Sequence, residues 1–249
     1  MMSESDQANV ATSAPSMPDA DRTKLRIGFA LCSGAFALAV AFVVVRFGAV
    51  QFASSSDAHF GETHDFELKL AGNVASTAVD FLLVAGLVCL YRARNGQRWR
   101  MVSTITLGLL GVDLAVVCFD IFGTDAAMLE LTRNLGLTLN WVVLWMIAVL
   151  AAEAAESMGR PDITYQTEVT GRLIIGGGVA WLAYLIWSFD PKQLEKQATD
   201  AAVDVFSIVL FYASWALQIF SCGRTVLSCG GLAAALSPTQ DQTPPGQTA

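Results

Sequence analysis

The sequence predicts an all-α, polytopic integral membrane protein: six transmembrane helices in three antiparallel hairpins, with the N- and C-termini both cytoplasmic. Three observations carry this expectation. Of 249 residues, 54% are hydrophobic and only 15% charged, and the mean hydropathy is +0.50, whereas soluble domains carry roughly a quarter charged residues. Apolar segments of membrane-crossing length recur between charged borders. Arginine and lysine collect in alternate connections.

Crossing a hydrocarbon core takes about 20 mainly apolar residues. Segments of that kind occupy approximately 27–52, 68–91, 101–122, 135–155, 173–189 and 202–222. The fifth is the shortest, but its Trp181, Tyr184 and Trp187 suit a headgroup boundary, where amphipathic aromatics concentrate. A six-helix domain is therefore expected over 25–223. Residues 1–24 and 224–249 are expected as cytoplasmic tails, the first disordered and the second largely so. Both contain polar stretches rich in Ser, Thr, Pro or Gln without apolar periodicity.

Positive residues remain on the cytoplasmic side. Arg22, Lys24 and Arg26 precede the first segment, and Arg92, Arg94, Arg98 and Arg100 crowd the second connection. Arg160 and Arg172 flank the fourth, and Arg224 follows the sixth segment. The first and third connections are acidic or nearly so. Lys192 and Lys196 in the fifth lie among Asp190, Glu195 and Asp200. The expected location is thus the cell membrane. A cleaved signal peptide is the rival reading of the first segment, but its apolar run exceeds the roughly 7–15 residues of such a region and its leading tail is acidic.

Polar residues within the spans are placed with a period. Asn73, Ser76, Thr77 and Asp80 share one face of the second helix. Ser103, Thr106, Asp113 and Asp120 form a stripe on the third, and Asp204, Ser207, Ser214, Gln218 and Ser221 one on the sixth. These stripes are expected to bury against one another. An ionised Asp at the bilayer centre costs at least about 2.5–3.5 kcal/mol, so Asp80 and Asp113, near mid-span, are the candidate protonation sites. Asn73, Thr77, Thr106 and Gln218 would line a polar route beside them. Arg46 and Asp120, at similar depth, are the candidate intramembrane ion pair. In the structural alternative both carboxyls are protonated, or bonded to Asn73, Thr106 and Asn140, and only join helices.

Gly108 and Gly111 in the third helix and Gly176, Gly177 and Gly178 in the fifth would allow close helix packing, or the triplet would unwind its helix to bind a cation. His59 and His64 lie in the acidic first connection, but residues five apart share no helix face, so no metal site is expected. The five cysteines lie in or beside apolar stretches and imply no disulfide framework; Cys222 and Cys229 read as small apolar residues rather than acylation sites.

The absences narrow function. No histidine falls inside a span, which removes bis-histidine haem and a Ser-His intramembrane dyad. No C-x-x-C, phosphate-binding Gly-rich loop or nucleotide-sized soluble domain is present. With a net charge of -7 and no basic surface, no nucleic-acid partner is expected. The partner is the lipid bilayer, and the small-residue content allows a homo-oligomer or a membrane-protein partner without requiring either. The reading is non-enzymatic and cofactor-free: a secondary transporter or channel-like protein, or alternatively a membrane scaffold or accessory subunit whose polar stripes only join helices.

Overall fold

A computed structural model describes residues 17–55, 61–122, 126–188 and 205–237. Side chains are described for 17–45, 71–119, 132, 134–187 and 205–237. Six helices account for nearly all of these: α1 (Asp19–Ser55), α2 (Gly61–Ala93), α3 (Gln97–Phe122), α4 (Ala126–Ser157), α5 (Pro161–Ser188) and α6 (Val205–Ala235). Each is long and apolar enough to cross a membrane.

The helices reach beyond the expected spans. Residues 19–24, expected in a disordered tail, form the first turns of α1. Asp19 and Asp21 stand there against the positive end of the helix dipole. Helix α5 begins at Pro161, a residue whose fixed φ suits a first helical position. Arg172 therefore lies about three turns inside α5 and does not border its start. At the other end of the chain, α6 continues through Arg224 to Ala235, because the segment after the arginine is apolar and rich in small residues. Residues 224–235, expected in the C-terminal tail, are helical. The remainders of both tails, His59 and the lysines of the fifth connection lie outside the described residues, as does the side chain of His64.

Packing follows the chain and then closes on itself. Each helix packs on the next, α6 also packs on α1, and α4 makes a smaller contact with α6. A set of bonds and one packing contact gathers six helix ends. Arg22 Nε donates to the Leu236 carbonyl at 3.2 Å and Lys24 Nζ to the Arg92 carbonyl at 3.4 Å. Trp99, fully buried, donates its Nε1–H to the Leu90 carbonyl at 2.7 Å. Arg94 lies 5.0 Å from the centre of the Trp99 ring and donates to the Ser157 hydroxyl. Ile163 packs against Gly231.

The tightest seam joins α1 to α2. A methyl placed on Gly28 would meet Leu90 at 2.7 Å and the Gly86 carbonyl at 2.9 Å. One on Gly86 would meet Cys32 Sγ and the Gly28 carbonyl, each at 2.9 Å. Such backbone approach is the usual basis of helix association in lipid, where no hydrophobic force acts between helices. The glycines singled out from the sequence behave differently. Gly108, Gly111, Gly176 and Gly178 have open space where a side chain would begin. Only Gly177 is pressed, by the Trp141 indole at 2.1 Å from its would-be Cβ. Helix α5 runs unbroken through the triplet, so no backbone carbonyls are unwound there.

Candidate intramembrane polar site

Asp80 and Asp113 are both buried, at 2% and 3% exposure, on the packed neighbours α2 and α3. Their carboxyls lie within electrostatic reach of each other. The period puts Asn73, Ser76, Thr77 and Asp80 on one face of α2, with Asp80 buried and the others half-buried, and on the stripe of α3 Ser103, Thr106 and Asp113 are buried. Asp113 also meets α4: its Oδ1 sits 3.3 Å from where a Gly136 side chain would start. The absence of a side chain at Gly136 leaves the room that the carboxylate occupies.

Asp80 Oδ2 is buried and has no hydrogen-bond partner among the described residues. A buried polar atom left unpaired costs about 1–3 kcal/mol, more when charged. Its expected structural partners do not supply the bond. Thr106 is fully buried but gives its hydroxyl to the Val102 carbonyl of its own helix at 2.7 Å. Thr77 likewise donates to the Asn73 carbonyl at 2.7 Å. Among the described residues, no hydrogen bond joins either carboxyl to Asn73, Thr106 or Asn140. Asn73 and Thr77 are half-buried on the turns of α2 outward of Asp80.

The three polar stripes do not converge. The buried face of α6 is made of Ser214, Ser221, Thr225, Ser228, Cys229 and Leu232, and it packs on α5, α1 and α4 rather than on α2 or α3. Gln218, half-buried on α6, is therefore placed away from the Asp80–Asp113 pair. The side chains of Arg46 and Asp120, the candidate ion pair, lie outside the described residues. Asp204 also lies outside them.

Stripe members Ser103 and Ser221, together with Glu153, Trp215, Arg224 and Ser228, which the sequence reading did not place in the polar interior, add to it. Ser103 Oγ, Ser221 Oγ, Ser228 Oγ, Trp215 Nε1, Arg224 Nε and Glu153 Oε2 are buried atoms without hydrogen-bond partners among the described residues. Glu153 faces the arginine-rich end of the bundle, 4.0 Å from Arg98 Nε. Burial lowers the pKa of the nearby Arg94 guanidinium and the Glu153 charge opposes that shift. Arg224 was read as a border charge. A stripe continuing past it through Thr225 and Ser228 was the signal that the helix, and its buried face, did not end there.

No cluster of His, Cys, Asp and Glu suited to a metal ion occurs among the described residues. Comparison of the chain with protein families, with curated proteins and with solved structures returns no match.

Proposed function

We propose that the protein is a small secondary transporter or channel-like protein of the cell membrane, passing a proton or cation along the polar seam between α2 and α3. Asp80 and Asp113 are its titrating groups, and Asn73, Thr77 and Thr106 flank them. The observation that supports this reading most is the unpartnered Oδ2 of Asp80 beside a second buried carboxyl. A pair of carboxyls that served only to join helices would be expected to bond across the seam. Carboxylates inside membrane spans are costly and rare, and they commonly mark ion and proton pathways.

In the same reading the helices alternate in direction as three hairpins, with both termini cytoplasmic. It is supported by the helix ends that Arg22, Lys24, Arg94 and Trp99 tie together, which are also the ends richest in arginine. The chain acts without catalysing a covalent reaction.

The scaffold reading draws on one specific observation: Thr77 and Thr106 spend their hydroxyls on their own backbones, as polar residues do when a helix face need only be neutralised. Proton flux into proteoliposomes, followed with an entrapped pH-sensitive dye under an imposed potential, separates the two. The transport reading expects flux in the native protein that falls to the level of empty liposomes in Asp80→Asn and Asp113→Asn, with both variants inserting normally. Native protein that never exceeds empty liposomes for protons or for a panel of alkali cations contradicts it.

A further inference from the structure

Helix α6 carries a second polar site, unlike the first in charge. Ser221, Arg224 and Ser228 are spaced three and four residues apart, so their side chains rise from one face. Ser221 and Ser228 are essentially fully buried. Their hydroxyls and the Nε–H of Arg224 have no hydrogen-bond partner among the described residues. Thr225, between them, is satisfied by the Ser221 carbonyl at 2.8 Å and takes no part.

The depth of Arg224 makes this unusual. Leu236, whose carbonyl accepts from Arg22, lies 12 residues beyond Arg224, just past the end of α6. At 1.5 Å of rise per residue, Arg224 is about 18 Å inward of that level. On α1 the Ser33 hydroxyl donates to the Val226 carbonyl at 3.1 Å, which places this part of α6 firmly against its neighbour.

A guanidinium is permanently charged and can only donate, so its complement is an acceptor, and at this depth an anionic one. The described residues do not provide it. Among the described residues Arg224 forms no ion pair. On the helices packed around α6, Asp21 is bonded to Lys24 and Asp162 to Arg160, and Glu153 lies nearest Arg98. Asp19, Glu156 and Glu168 are exposed.

We infer that Ser221, Arg224 and Ser228 form a binding site for a small anion of the chloride or carboxylate class, held within the bundle against α1, α4 and α5. The inference rests on the transport reading only for what the anion does there; the site is built from other residues. A lipid phosphate offers the same chemistry, but two fully buried hydroxyls favour an ion that enters the interior over a headgroup at its edge.

The test is thermal unfolding of the purified full-length protein in detergent, read by tryptophan fluorescence. Sodium chloride or sodium acetate is titrated against sodium gluconate at constant ionic strength. A saturable rise in Tm with chloride or acetate is expected. Its half-saturation should move by about tenfold or more in Arg224→Gln, the scale of one lost charge-assisted hydrogen bond. The shift should be smaller in Ser221→Ala, and absent in Arg172→Gln, which alters an exposed arginine of α5. Should Arg224→Gln fail to fold, Arg224→Lys and the Ser221→Ala/Ser228→Ala double variant carry the same comparison. Identical curves in all three salts, an unshifted response in the α6 variants, or stabilisation by added phosphatidylglycerol alone would each overturn the site. No gradient is involved, so this result stands apart from the proton-flux result.

Discussion

Two seams of one bundle are built on opposite principles. Between α1 and α2, Gly28 and Gly86 bring backbones together so closely that neither position has room for a methyl group, and Cys32 and Leu90 fill the remaining space. Between α2 and α3, and along α6, the interior instead contains Asp80 Oδ2 and the Ser103, Ser221 and Ser228 hydroxyls without partners among the described residues. The first seam is closed by shape. The second keeps polar groups at a cost in stability, which is the usual sign that they are retained for work rather than for folding.

The contrast can be broken at either seam. The largest effect is expected from Gly86→Leu, which forces a branched side chain into the Gly28 carbonyl and Cys32. Overpacking of this kind costs about 1–3 kcal/mol or more, and loss of monodispersity on gel filtration together with a lower Tm would register it. The opposite sign is expected at the second seam. Asp80→Leu removes a buried unpaired carboxyl and is expected to raise stability by about 1–3 kcal/mol while abolishing proton flux. Gain of stability with loss of flux, measured on one preparation, would sharpen the comparison considerably; a destabilised Asp80→Leu would place that carboxyl among the groups that hold the fold.

Smaller changes bound the argument. Trp181 Nε1 donates to the Thr138 hydroxyl at 3.0 Å across α5 and α4. Trp181→Phe keeps most of the ring and should cost about 0.5–1.5 kcal/mol, seen as a modest drop in Tm with flux intact. The smallest effect is expected at Gly111→Ala. It meets open space and should gain up to about 1 kcal/mol from helix propensity. A loss of stability there would show that a surface treated as lipid-facing is an interface.

How much of this was legible in the sequence differs by feature. Apolar length revealed six helices long and apolar enough to cross a membrane, because crossing a hydrocarbon core demands that length of every span. The stripes containing Asp80 and Asp113 were legible from their period of three and four. Helix ends were less so: Arg224 interrupts the hydropathy of α6 without ending the helix, and Pro161 starts α5 well before its apolar stretch. Which stripe meets which was hidden altogether, since periodicity orients a face but does not name its neighbour. Gln218 was grouped with Asp80 on that account, whereas α6 packs on α1, α4 and α5. The Gly28–Gly86 crossing was missed because two solitary glycines on different helices have no mutual signature until the helices are placed.

The proposed transport role requires that water reach the Asp80 carboxyl while positions further along α2 stay closed, and the accessibility of substituted cysteines tests this most directly. Asp80→Cys is compared with Leu87→Cys, which lies two turns further along α2 at a fully buried position, using a small, charged, water-soluble methanethiosulfonate reagent and mass spectrometry of the intact protein. The account predicts that Asp80→Cys gains one modification over the native chain and Leu87→Cys gains none. Equal inertness of both, in variants that elute like the native protein, would mean that the carboxyl sits in a closed contact and would contradict the account.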